Sequence, residues 1–147
     1  MIAIGCDHGG FKLKNAIKDY FEQNKIEYKD FGTDSESSCD YADYAKKVAL
    51  SVKNGECQKG ILVCGTGIGM SIAANKVKTI RAALCGDWFS AKYTRLHNDS
   101  NILCLGQRVT GEGLALEIVK VFLETEFEGG RHKSRIDKIT QIENENT

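Results

Sequence analysis

A chain of 147 residues, 41% hydrophobic and 27% charged, has the size and composition of one ordinary domain with a sizeable core. Lys plus Arg and Asp plus Glu number 20 each, so the formal charge is zero and no global field draws the chain to nucleic acid or an anionic membrane. No run approaches the roughly 20 apolar residues of a membrane span, and the start MIAIGCDHGG turns polar too early for a secretory signal, so a cytoplasmic place is expected. In chain order, residues 1–6 read as a strand and 11–23 as a helix with Phe11, Ile17, Tyr20 and Phe21 mostly on one face. Residues 26–31 read as a second strand, followed by a polar loop over 33–40 and a helix over 41–52 that stops at Asn54 and Gly55. Further strands are expected at 60–63, 81–84 and 102–105, with helices at 70–76, 89–96 and 113–123. Strands this continuously apolar are covered on both faces, and their alternation with helices predicts a parallel sheet between two helix layers. A last helix over 131–144 carries Ile136, Ile139 and Ile142 as a narrow apolar stripe, suited to a partner subunit or to its own sheet. The whole of 1–147 reads as a single domain.

Six cysteines, at 6, 39, 57, 64, 85 and 104, contain no CxxC and no zinc-type ligand pair, which argues against a metal cluster. Without a secretory signal they are expected as free thiols, mostly small buried hydrophobes. In parallel sheets ligands gather at the carboxyl ends of strands. Three such ends carry polar groups: Cys6-Asp7-His8-Gly9-Gly10, Cys64-Gly65-Thr66-Gly67-Ile68-Gly69, and Gly106-Gln107-Arg108. The middle loop, with glycines at 65, 67 and 69 leading into a helix, is expected to hold an anion on its amides. It is neither the dinucleotide fingerprint nor a P-loop, and Met70 stands where a phosphocysteine enzyme needs Arg. Cys64 sits beside that loop, a setting that lowers a thiol's pKa, and so departs from the bland reading. His8 and His97 occupy polar loop contexts. Arg131 and Arg135, one helical turn apart in GGRHKSR, can grip a phosphate or merely open a solvated helix. Asp7 can orient His8, contact a hydroxyl or cap the following helix, and Trp88 reads as a core or interface residue.

GCDHGGFKLK, GILVCGTGIGMSIAANK, RLHNDSNILCLGQRV and EGGRHKSRID, in that order over about residues 1–142, together resemble the type B ribose 5-phosphate isomerases. That family also includes allose 6-phosphate isomerases and, more distantly, the galactose 6-phosphate isomerase subunits. The resemblance implies a three-layer α/β/α, Rossmann-like fold with a five-stranded parallel sheet. It also implies a homodimer or dimer of dimers with shared active sites and no metal or cofactor. The implied reaction interconverts ribose 5-phosphate and ribulose 5-phosphate, in the non-oxidative branch of the pentose phosphate pathway, through an enediolate. Carried over by motif, Cys64 matches the base between C1 and C2, and the amides of Gly65, Gly67, Ile68, Gly69, Met70 and Ser71 match the hole for the enediolate. His97 matches the ring-opening residue, with Thr66 nearby. His8, Arg131 and Arg135 match phosphate ligands, joined by Arg108 from the partner. Asp7 and Asn98 match contacts to sugar hydroxyls, and Tyr41 lines the sugar site. The chain departs from the family in having Ala42 after Tyr41 where proline is common. A sugar-phosphate sensor without catalysis and a nucleotide-binding module are the competing classes.

Overall fold

The computed structural model describes residues 1–146. Five parallel strands, β1 (Ile2–Cys6), β2 (Tyr28–Asp30), β3 (Lys59–Cys64), β4 (Ala82–Leu84) and β5 (Ile102–Gly106), form one sheet in the order β2-β1-β3-β5-β4. The helices are α1 (Phe11–Gln23), α2 (Tyr41–Lys53), α3 (Ile68–Ala74), α4 (Trp88–Asn98), α5 (Glu112–Glu124) and α6 (Arg131–Glu145). Ile61, Leu62 and Val63 of the central β3 are all fully buried, which is why the segment reads as an unbroken apolar run.

Alternate side chains feed two cores. Ile4, Ile61, Val63, Leu103 and Leu105 meet Leu13, Ile17 and Phe21 of α1 and Ile118, Val119 and Phe122 of α5. Ala3, Leu62, Ile102 and Cys104 meet Ala45, Val48 and Ala49 of α2 and Met70 and Ala74 of α3. Each fully buried large aliphatic or aromatic side chain contributes about 1.5–3 kcal/mol. The α/β/α expectation is thus met. The chain leaves β1 for one side of the sheet and β3 for the other, so a crevice opens between their carboxyl ends, the topological switch point where such sheets bind ligands.

Local differences have local causes. The second strand shortens to Tyr28–Asp30 because it is an edge, paired on one side only. A 3-10 turn over His8–Gly10, unforeseen from periodicity, precedes α1, and Asp7 caps it by accepting the Gly9 N–H at 2.8 Å. The third helix starts at Ile68, ahead of the apolar periodicity that suggested 70. Ala42 falls in the first turn of α2, where a proline would also fit, so its presence leaves the path intact. The last helix rests on α4 rather than on the sheet: Ile136 is 6% exposed, whereas Ile139 and Ile142 are 46% and 61% exposed. Trp88, at 43% exposure, is no core residue of the protomer. No helix is long and apolar enough to cross a membrane, among the described residues.

Candidate active site

Cys64 ends β3 at the switch point with its sulfur accepting the Gly67 N–H at 3.0 Å. That bond needs a tight turn, and Gly67 takes φ +80, where a Cβ would lie 2.5 Å from Leu84 Cδ1. Thr66 Oγ1 accepts the Ile68 N–H at 3.2 Å, so its own hydrogen stays available. The Gly69 and Met70 amides fall in the first turn of α3, ahead of any helical acceptor. Met70 offers only its backbone, because its side chain is fully buried, and the Ser71 hydroxyl is spent on Ile68 O at 2.8 Å.

A cavity of about 410 Å³ opens over this turn, with Asp7, Tyr41, Cys64, Thr66, Gly69 and Arg108 in its wall. Larger hollows, of about 690 Å³ under α6 and 460 Å³ between Tyr20 and Leu123, contain none of this chemistry. The exposed Tyr41 ring lies so close over Gly69 that a Cβ there would meet ring atoms at 2.6 Å. The β5 loop docks on the Cys64 loop through Gln107 N–H to Cys64 O at 2.9 Å and Arg108 N–H to Gly65 O at 3.0 Å. Those bonds set Arg108 beside Gly65, whose absent Cβ would lie 3.0 Å from the guanidinium. Arg108 therefore lies beside the Cys64 loop of its own protomer. His8 follows Asp7 in the same quarter, its Nδ1 accepting the Cys39 N–H at 3.2 Å, which leaves Nε2 to act as a donor. The role of Cys39 in orienting His8 was hidden in the sequence, since the two residues are 31 positions apart.

The remaining residues gather elsewhere. His97 and Asn98 end α4, and Asn98 O accepts from Arg81 Nε at 2.9 Å just before β4 begins. They sit at the amino ends of the strands, whereas Cys64 sits at a carboxyl end. β3 alone, at about 3.3 Å per residue, separates those two ends by roughly 17 Å. Arg131 and Arg135 belong to the His97 end, because His132 between them stacks on His97 with centroids 4.1 Å apart and planes 13° apart. Glu128 faces both rings, with carboxylate oxygens 3.9 Å from His97 Nε2 and 3.8 Å from His132 Nε2. Burial and then the neighbouring His97 hold His132 below the ordinary histidine range. His97, Glu128 and His132 have ligand atoms within 4.8 Å of one another. The near-parallel rings direct their in-plane lone pairs side by side rather than toward one point, an arrangement unsuited to holding a metal ion.

All six cysteines are free thiols. Burial pushes Cys6 and Cys85 up to about 11, and Cys104 further.

A family model described as ribose/galactose isomerase matches residues 2–139. Ribose-5-phosphate isomerase B of Escherichia coli (strain K12) is 50% identical over 142 residues, covering 97% of this chain and 95% of that protein. The solved ribose-5-phosphate isomerase B of Clostridium thermocellum superposes with a TM-score of 0.98 at 53% identity, covering 99% of each chain. That of Mycoplasma genitalium, solved with bound ribulose-5-phosphate, gives 0.93 at 42% identity, covering 98% of this chain and 96% of its own. The matched span runs from β1 into α6 and takes in both groups of polar residues, and the chain belongs to the ribose/galactose isomerase family.

Proposed function

We propose that the protein interconverts ribose 5-phosphate and ribulose 5-phosphate at a site completed by two copies of the chain. The observation that carries the reading is Cys64 under the Gly67 amide at the switch point, in a chain whose family is shared over residues 2–139. Ribose 5-phosphate rests as a furanose and has no free carbonyl, so the ring must open first. His97 takes the C1 hydroxyl proton as the C1–O4 bond breaks, and returns it to O4. Cys64 as thiolate then removes the C2 proton; the electron pair forms the C1–C2 double bond and O1 becomes the oxyanion. The Gly69 and Met70 amides lie where such charge is stabilised, and one oxyanion donor is worth about 3–4 kcal/mol in other enzymes. Thr66 carries the O2 proton to O1, and the Cys64 thiol delivers its proton to C1 to complete ribulose 5-phosphate.

One protomer supplies Asp7, His8, Tyr41, Cys64 and Arg108, and the second supplies His97, Asn98, Arg131 and Arg135. Phosphate falls to His8 and the three arginines, whose fixed forks hold C1 and C2 against the thiol from a distance. Exposed Ile68, Ile72, Leu84, Phe89 and Val109, 43% to 70% accessible, offer the contact surface of a homodimer. A cytoplasmic place in the non-oxidative pentose phosphate pathway suits this reaction. The test is turnover in deuterated water. The isomerase incorporates deuterium at C1 of ribulose 5-phosphate or C2 of ribose 5-phosphate. Sugar binding without exchange would leave a sensor and defeat the reading.

A further inference from the structure

We propose that Glu128 and His132 are positioning residues for His97, forming with it a cluster that confines a single imidazolium to the His97 ring while the furanose opens. This rests on the assignment of ring opening to His97 above. His97 is 39% exposed at the end of a helix, and an unsupported imidazole there would be free to turn. Three rings remove that freedom: Tyr93 packs T-shaped with His97 at 5.1 Å and 78°, Phe89 stacks on Tyr93 at 4.2 Å, and His132 covers a face of His97. The support comes from two directions, since Glu128 N–H donates to Leu96 O at 3.1 Å and ties the strap after α5 to the last turn of α4.

Packing alone would be served by phenylalanine at 132. Instead the chain buries an imidazole, 4% exposed, whose Nε2 is left with no hydrogen bond. A buried nitrogen without a hydrogen bond is costly and calls for a use. The polar group it faces is Glu128 Oε1, and the other carboxylate oxygen faces His97 Nε2. The remaining charges nearby are Arg131 and Arg135 of α6. The carboxylate faces both rings alike, so solvation and the arginines decide: a cation on His132 would be buried beside Arg131 and Arg135 and against His97, whereas a cation on His97 would be partly solvated and stacked on a neutral ring. The arrangement therefore favours the charge on the ring that needs it. In the step served, His97 takes the O1 proton, the O1–H electron pair becomes the carbonyl π bond, and the C1–O4 pair goes to O4, which takes the same proton back. No co-reactant is consumed.

Ring opening can be read without isomerisation in a Cys64→Ala background, as magnetisation exchange between the anomers of ribose 5-phosphate labelled with ¹³C at C1. Cys64→Ala is expected to speed anomer exchange above the spontaneous rate. Adding His132→Phe or Glu128→Gln is expected to reduce the protein-dependent part by about tenfold or more at unchanged half-saturation. Glu128→Gln is also expected to move the acid limb of that exchange to lower pH, because the imidazolium loses its carboxylate. Exchange unchanged in both variants overturns the proposal. So does a loss that tracks weakened sugar binding, or an acid limb that stays in place, since either marks a merely structural role. If Cys64→Ala itself gives no acceleration, His97 opens no ring and the cluster has no step to serve. Absence of ribose 5-phosphate turnover by the unmodified protein is a separate result, which removes the isomerase reading itself.

Discussion

Cys64 differs from the buried thiols of the neighbouring strands less in burial than in what its sulfur meets. It is 5% exposed against 2% for Cys85 and 0% for Cys104, yet it accepts the Gly67 amide and borders an open cavity. Cys64→Ala is expected to lower kcat by about 10²–10⁴-fold or more, the range of a positioned base, with ribose 5-phosphate affinity within a few-fold. Initial rates and a binding titration measure the two separately, and turnover close to wild type would remove Cys64 from the chemistry. The turn below is as demanding as the thiol. At Gly10 a Cβ would stand 2.4 Å from Val63 O, a backbone atom of the strand that delivers Cys64. Gly10→Ala is expected to destabilise by about 1–3 kcal/mol, read as a lower thermal midpoint, and to reduce kcat as β3 shifts. Cys64 was legible from its place between an apolar run and a glycine loop. The Cys39 amide on His8 was not, because non-local contacts leave no periodicity, and the side of the site that Arg108 serves required the backbone bonds from 107 and 108 to the Cys64 loop.

At the scale of elements, hydrophobic periodicity found every strand and α-helix but not the contacts that lock them. Lys14 stands on the apolar face of α1, one turn after Phe11 and one turn before Ile17, and is 1% exposed. It donates to Asp30 at the end of β2 at 2.9 Å, to Thr33 O at 2.5 Å, and shares Asp30 with Lys18 at 2.8 Å. A charge pair of this kind replaces apolar packing and is invisible to an apolar pattern. Burial pushes the Asp30 carboxyl up, but the bonds from Lys18, Lys14 and the Gly32 N–H outweigh it and hold Asp30 below its ordinary value. A carboxyl depressed in the folded state contributes stability above its unfolded pKa, about 3.9, and loses it as pH falls through the folded value. Asp30→Asn is therefore expected to lower the urea midpoint at pH 7 and to flatten its decline below about pH 4. An acid decline as steep as the wild type's would show that other groups carry it. The terminal helix illustrates the converse: its threefold isoleucine stripe was legible, but its seat on α4 depends on Ile136 and on the stacked histidines, neither of which spacing specifies.

For the whole molecule, parallel topology forces a division of labour. A strand and its following helix run in opposite directions, so a residue ending a strand and a residue ending a helix in the same chain fall at opposite ends of the sheet. Cys64 ends β3 and His97 ends α4, and no side chain spans the length of strand between them. A reaction using both must draw them from different copies, related by a closed symmetry that makes two equivalent sites. Sequence reading reached the proposed shared site through family resemblance alone; the opposed ends of β3 and α4 give that proposal a physical reason. The consequence is complementation. Cys64→Ala and His97→Asn chains, each inactive alone, are expected to regain activity when co-expressed, because a mixed dimer pairs an intact Cys64 face with an intact His97 face at one site and leaves the other doubly defective. Random mixing in equal amounts makes half the dimers mixed, so about a quarter of wild-type activity is expected. A chain whose sites are self-contained would recover none, since no copy would hold both groups, and that outcome would refute the shared site.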